Sequence, residues 1–403
     1  MNQHPEAINM IFKAINSDIF KEYAAESQAL RQHIHQHPEL GYQEQQTADL
    51  VAEKLASWGY QVTRGLGVTG LVGTLKKGNG PRAIGIRADM DALPIVENTG
   101  LPYCSVHHGV MHACGHDGHT AMLLGAAHYL ADHPDFNGTL NLIFQPAEEG
   151  LAGARKMMED GLFEQFPCDA IFAMHNMPGF PEGQFVFGAG AFMASSDNVT
   201  ITIHGKGGHG AMPKGTVDAV VVGSSIVMAL QTIVARNLSA QESGVITVGS
   251  FQSGIANNVI ADSAVLKLSV RALDPAIRDF LEERIKTLVN AQAAAFGAAV
   301  SIDYVRSYPV LVNNPEMTQF AKQVALDMFR EQHGDQVIDI PEPLMGSEDF
   351  AFMLQQRPGS YLLLGNGAGE NSCMVHNPGY DFNDAIITRG IAYWSALTQA
   401  FLK

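Results

Sequence analysis

Apolar side chains recur at helical spacing through residues 27–58, first Leu30 and Ile34, then Leu50, Val51 and Leu55. His37-Pro38 interrupts the pattern and Gly59 closes it, so two helices are predicted, because proline disfavours helical backbone in the residue before it. Further on, PRAIGIRAD, GTLNLIFQPAEE and CDAIFAMHNMP each hold a short run of strand-forming apolar residues, with helical windows at 119–130 and 150–158 between them. That alternation predicts βαβ units and a mainly parallel sheet. From about Asp197 the texture changes: NVTITIHGKGG, GVITVGSFQSG and AVLKLSVRAL alternate apolar and polar positions as half-exposed strands do. Helices at 218–235 and 275–295 accompany them, and the glycine-rich FGAGAFMASS ahead of them reads as a hinge. SYLLLGNG then predicts another buried strand and residues 384–402 a closing helix. The organisation expected is an α/β catalytic domain over 1–190 and 302–403, with a smaller α+β domain inserted over 191–301.

Polar side chains gather where the predicted strands end. AIGIR runs into Asp89 and Asp91, LNLIFQPA into Glu148 and Glu149, AIFAM into His175, and YLLLG into a short connection that reaches His376. MHACGHDGHT, ahead of the helix predicted from His119, adds Cys114 and His116. In an open parallel sheet the carboxyl ends of the strands are where several loops converge on one crevice. Cys114, His116, Glu149, His175 and His376 together offer a thiolate, three imidazoles and a carboxylate, a set suited to zinc or another late first-row divalent ion. Five donors allow two ions, and paired ions polarise a carbonyl and acidify water, which is hydrolytic chemistry. In an extended segment Glu148 and Glu149 would point opposite ways, so one ligates and the other accepts the proton. His112 and His119 are expected to orient and pack rather than ligate.

Charge narrows the partners. With 25 Lys and Arg against 41 Asp and Glu, the 403-residue chain carries a net charge of −16, which repels nucleic acid and anionic membrane. Its hydrophobic fraction of 46% lies in the range of folded globular proteins. Cys104, Cys114, Cys168 and Cys373 are too few and too scattered for a disulfide framework, which fits a reducing compartment. The N-terminal stretch lacks a signal-peptide pattern and no unbroken run of 18 apolar residues occurs, so a cytoplasmic location is expected.

HPELGYQE, RADMDALP, MHACGHDGHT, FQPAEEG, GGHGAMP, NNVIADSA and MGSEDFAF follow one another along the chain. Their order resembles the M20 metallopeptidase and amidohydrolase family, and within it the aminoacylase branch of hippurate hydrolases and auxin–amino acid conjugate hydrolases. The resemblance implies two divalent ions (zinc, manganese, cobalt or nickel) on Cys114, His116, Glu149, His175 and His376, with Glu148 as general base and Asp91 as an orienting aspartate. Asp89 stands where the wider family keeps a histidine ligand. The inserted domain resembles the family's lid, which also serves dimerisation, so a homodimer or higher homo-oligomer is implied. There the position of His209 reaches a partner's active site to steady the oxyanion, and that of Asn258 helps hold substrate. Ala261 replaces the proline of the family's N-V-I-P-D pattern. The implied reaction cleaves the amide of an N-acyl amino acid, such as an N-acetyl or N-benzoyl derivative, to a carboxylic acid and a free amino acid. The rival within the family is a dipeptidase or carboxypeptidase; from a different class it is a non-catalytic metal-dependent binding or scaffold protein, against which the intact Glu148 and five donors argue, and a third option is a hydrolase using Cys114 as nucleophile.

Overall fold

The computed structural model describes residues 19–330, 335–369 and 372–403. For residues 1–18 the N-terminal reading therefore falls outside the described residues. Helix α1 (Ile19–Gln36) and helix α2 (Gln45–Ser57) are the predicted pair, separated by the His37-Pro38 break and a turn at Gly41–Tyr42. Strands β1 (Gln61–Leu66), β2 (Gly70–Lys77) and β3 (Ala83–Asp89) follow, then helix α3 (His116–Asp132), strand β4 (Gly138–Gln145), helix α4 (Gly153–Glu159) and strands β5 (Ala170–Pro178) and β6 (Phe185–Phe187). After the inserted segment the chain adds helix α7 (Pro315–Met328), strands β11 (Val337–Asp339) and β12 (Gly359–Gly367), and helix α8 (Ile387–Phe401).

One eight-stranded sheet runs β1-β2-β4-β3-β5-β12-β6-β11. Its centre is parallel, β4 with β3, β3 with β5 and β5 with β12, while β1, β2 and β6 join antiparallel. Parallel strands covered on both faces need apolar residues at nearly every position, and β5, AIFAMHNMP, is buried along its whole length. Helix α3 lies against α1 and α8 and is buried at most positions, including Leu123, Leu124, Ala126, Ala127 and Leu130. Each such leucine contributes roughly 1.5–3 kcal/mol through the apolar area it takes out of water.

The inserted unit is antiparallel: β7 (Ser196–His204), β8 (Gly244–Ser253), β9 (Ser263–Ala272) and β10 (Ala299–Tyr308) form a sheet in the order β8-β9-β7-β10. Val199, Ile201, Ile203, Leu266, Leu268 and Val270 point to one face, where helices α5 (Ala219–Asn237) and α6 (Pro275–Ala295) bring Ile226, Leu230, Leu281, Ile285 and Val289. The Asp218 and Asp274 carboxylates each accept two backbone N–H groups at the helix starts, so both helices begin where the sequence supplies a cap. Helix α5 is long and apolar enough by length and composition to cross a membrane; its inner side, Ala219, Val222, Ile226, Leu230 and Ile233, is core of this unit.

Two compact units result, one holding Ala191–Leu311 and Glu342–Ala351 and the other the rest of the chain. The inserted unit thus extends beyond 301. β10 pairs with β7 as far as Tyr308, and that ladder keeps the chain in the smaller sheet past residue 302. The FGAGAFMASS stretch, expected as a hinge, includes a strand, Gly190–Met193, with Phe192, Ala194 and Ser195 fully buried. Ala194 N donates to Leu344 O and Gly346 O, so backbone pairing holds the segment in place.

Candidate active site

The MHACGHDGHT loop enters α3 through Gly115, whose φ of +90° is open to glycine and strained for other residues. A β-carbon there would stand 2.2 Å from Asn176 Nδ2 and 2.6 Å from Tyr380 Oη, so backbone and neighbours both require glycine. Helix α3 starts at His116 rather than at the predicted His119, and His116 therefore sits on the first turn, not in a loop. β3 ends at Asp89, as predicted. His175 lies inside β5, which continues three residues past it. Glu148 and Glu149 depart from the extended conformation expected: they open a tight turn, Glu148–Leu151, between Ala147 (φ +54°) and Ala152 (φ +58°). His376 is also left-handed (φ +64°), with its N–H held by Ala113 O at 2.7 Å. Such backbones cost roughly 1–3 kcal/mol each and concentrate where surrounding contacts over-determine them for function.

These segments bring all five predicted donors together within one compact unit. Donor atoms of Cys114, His116 and His175 lie within 4.8 Å of one another, as do those of Cys114, Glu149 and His376, and those of His116, Glu148 and Glu149. Cys114 is common to the first two groups, an arrangement suited to two neighbouring positions that share an edge. Its Sγ is 3.3 Å from His175 Nε2, and His376 Nε2 is 3.0 Å from a Glu149 carboxylate oxygen. Asp91 aims two of the donors: one carboxylate oxygen is 3.1 Å from His116 Nδ1 and the other accepts the Glu149 N–H at 2.9 Å.

Behind them runs a line of fixed hydrogen bonds. His119 Nε2 accepts the Asn176 backbone N–H at 3.0 Å, which places the ring proton on Nδ1, 2.6 Å from Asp89. His119 is thereby committed to orientation. Arg87 donates to the other Asp89 oxygen at 2.6 Å. Asn176 Nδ2 donates to Cys114 O at 2.7 Å and Tyr380 Oη donates to Asn176 Oδ1 at 2.5 Å. Asn176 and Tyr380 were missed by sequence reasoning; their only signal is position, one residue after His175 and four after His376.

Burial pulls His116 down, but the Asp89 and Asp91 carboxylates outweigh it and raise the imidazole to about 10. Burial pushes the Cys114 thiol well above its ordinary value, and Glu149, Glu148 and Asp89 push the same way. His175 is held well below the usual imidazole range by burial and by His119. An enclosure this acidic opposes a bare thiolate, and a divalent cation inverts that sign. His116 Nε2 is buried with no hydrogen-bond partner. An orphaned imidazole nitrogen among a thiol, carboxylates and further imidazoles fits a metal centre, since unpaired buried polar atoms are costly.

His209 and Asn258 belong to the other compact unit. His209 pairs with Val259 in a two-residue ladder and Gly210 N donates to Asn258 O at 2.8 Å, so the fold makes them neighbours on an exposed loop pair.

The sequence pattern of the peptidase family M20/M25/M40 matches residues 85–400. The chain belongs to this family. It is 47% identical over 378 residues to a hippurate hydrolase of Campylobacter jejuni, covering 94% of this chain and 97% of that one. A thermostable carboxypeptidase of Saccharolobus solfataricus is 37% identical over 378 residues, covering 93% of each. Among solved structures, a Bacillus subtilis protein described as a dinuclear metal-binding peptidase of the M20 family superposes with a TM-score of 0.81 at 31% identity, covering 95% of this chain and 99% of that one.

Proposed function

We propose that this family member is a metal-dependent amidohydrolase that cleaves N-acyl amino acids, N-acetyl or N-benzoyl derivatives among them, into a carboxylic acid and a free amino acid. The observation that carries the reading is the convergence of five metal-type donors around Cys114, with the Glu148 carboxylate beside Glu149 and His116. Cys114, His116, Glu149, His175 and His376 would hold two divalent ions, drawn from zinc, manganese, cobalt and nickel. Bound there, such a pair polarises the scissile carbonyl and acidifies water. Glu148 accepts the proton released as water attacks and returns it to the leaving amine. Asp91 keeps His116 and the Glu149 backbone in register. His209 and Asn258 act on the oxyanion and the substrate. The rest of the reading is a cytoplasmic enzyme with a small-molecule substrate, no nucleic-acid or membrane partner, and self-association through the inserted unit as a homodimer or higher homo-oligomer.

A carboxypeptidase or dipeptidase activity is the second reading, favoured by the 37% likeness to a carboxypeptidase. Turnover of acetyl-, benzoyl- and aminoacyl-amino acids after metal stripping and reconstitution with each ion separates them. Activity lost on chelation, restored by metal and greatest on blocked acyl groups is expected. A preference for free aminoacyl substrates transfers the protein to the second reading, and activity that survives chelation favours a cysteine nucleophile. Glu148→Gln lowers kcat by about 100-fold or more, the scale of a lost acid–base group, while the bound metal stays. Unchanged turnover removes Glu148 from the mechanism.

A further inference from the structure

The motif HPELGYQE places no residue among the donors, yet it lies against the turn that carries both glutamates. Its first glutamate has a local task. Glu39 accepts the Gln46 N–H at 3.0 Å and the Thr47 N–H at 2.9 Å, closing the start of α2. Its second glutamate does not share that task. Glu44 occupies the N-cap position of α2, but its side chain makes no capping bond. The carboxylate is fully buried and turns to a different element: one oxygen accepts the Ala147 N–H at 2.8 Å, the other the Thr69 hydroxyl at 2.6 Å.

Ala147 is the left-handed residue immediately before Glu148. The same segment holds the far end of the turn, where Tyr42 Oη donates to Leu151 O at 3.0 Å. Between those two bonds Gly41 packs so closely that a β-carbon there would meet Ala147 Cα and Leu151 Cδ1, each at 3.0 Å. The segment is also tied to the aspartate side of the site. Ala92 N donates to Glu39 O at 2.8 Å, beside Asp91, whose carboxylate receives the Glu149 N–H. The turn is closed on itself as well: Gly153 N donates to Ala147 O at 3.0 Å, and any β-carbon on Gly153 would overlap Pro146 O. Two left-handed alanines persist only where neighbouring contacts over-determine them.

We propose that residues 39–44 form a positioning clamp for the glutamate turn, with Glu44 as the positioning residue that fixes the direction of the Glu148 carboxylate through the Ala147 amide. The clamp rests on the reading of Glu148 as the acid–base group. Glu44 touches neither substrate nor metal; it acts through the backbone one residue away. A displacement of about 1 Å in a reacting group costs on the order of 100-fold in rate, so a clamp matters to kcat more than to binding.

The test compares Glu44→Ala, Glu44→Gln, Glu148→Gln and the Glu44→Ala/Glu148→Gln double variant, all metal-reconstituted, with metal content and amide exchange measured beside kinetics. Glu44→Ala is expected to lower kcat by roughly 10–100-fold, with KM within about threefold and two ions still bound. Amide exchange in peptides spanning 145–152 accelerates. Glu44→Gln, which keeps an acceptor for the Ala147 N–H while the Thr69 hydroxyl rotates to accept from its amide, restores most of kcat. The double variant is no slower than Glu148→Gln alone. The proposal is overturned if Glu44→Ala leaves kcat per folded molecule unchanged, if Gln is as poor as Ala, or if the two losses multiply. Wild-type turnover in Glu148→Gln defeats the acid–base reading instead, and faster exchange at 145–152 in Glu44→Ala then still supports a clamp on the turn.

Discussion

His35 and Asp117 form a buried pair at the start of helix α3, with His35 Nδ1 at 2.8 Å from an Asp117 oxygen and Arg31 Nη1 at 3.6 Å from the same carboxylate. Burial pulls His35 down, but Asp117 and Glu97 overcome it and raise the ring to about 9, from 6.5. A group whose folded-state value is raised stabilises fully below its unfolded value and loses that contribution as pH climbs through the folded one. The pair should therefore support the fold up to about pH 6.5 and fade towards pH 9, an effect on the order of 3 kcal/mol at most. Denaturant unfolding of the metal-stripped protein and of His35→Gln checks it. The stability gap between them should narrow as pH rises from 6.5 to 9; a constant gap rejects this account. The five donors could be picked out along the chain because residue types that ligate metals recur near the predicted strand ends and in the glycine-punctuated MHACGHDGHT stretch. The orienting role of His119 was expected from the motif, whereas those of Asn176 and Tyr380 were not legible. They depend on which nitrogen or oxygen faces which neighbour across long sequence separations, and side-chain types alone do not carry that.

At the level of elements, the left-handed joints decide where the reactive groups point. Gly115 is the sharpest case. Gly115→Ala forces a side chain into φ +90°, at about 1–2 kcal/mol for the backbone alone, and overlaps the Asn176 amide that holds Cys114 O. Loss of metal affinity and a lower melting temperature are expected, measured by metal titration and calorimetry; a variant that keeps full affinity would show that the loop tolerates another path. Metal binding should also release protons, because the Cys114 thiol is held well above its ordinary value until a cation arrives. Affinity then rises with pH, and calorimetry in buffers of different ionisation enthalpy counts the protons. A strand pattern was legible wherever apolar runs were bounded by turns. The glutamate turn was not, since local propensity reads EE after a strand as continued extension, and the bonds that hold it come from Asp91, Tyr42 and Glu44, more than fifty residues earlier in the chain.

For the whole molecule, the helix that looks most like a membrane span is amphipathic once folded. Helix α5 buries one side in its own unit while Val220, Val221 and Met228 stay exposed, and β8 lies at the edge of its sheet. An exposed apolar helix face beside a sheet edge is a surface that a second copy can cover. Light scattering should give at least twice the chain mass, and Val221→Glu with Met228→Glu should reduce it to one; a monomeric wild type rejects self-association through this face. The chain by itself determined the α/β alternation and the alternating texture of an inserted α+β unit, and it offered the candidate donors, because periodicity, turn residues and ligand chemistry are local properties that side chains carry wherever they lie. Only the tertiary structure decided that Cys114 joins two donor groups, that the insertion keeps β10 and the 342–351 segment, and that a distant glutamate is bonded to the turn bearing Glu148. Those outcomes depend on burial and on hydrogen bonds between positions far apart in the chain, and such contacts exist only after the sheet has closed around them.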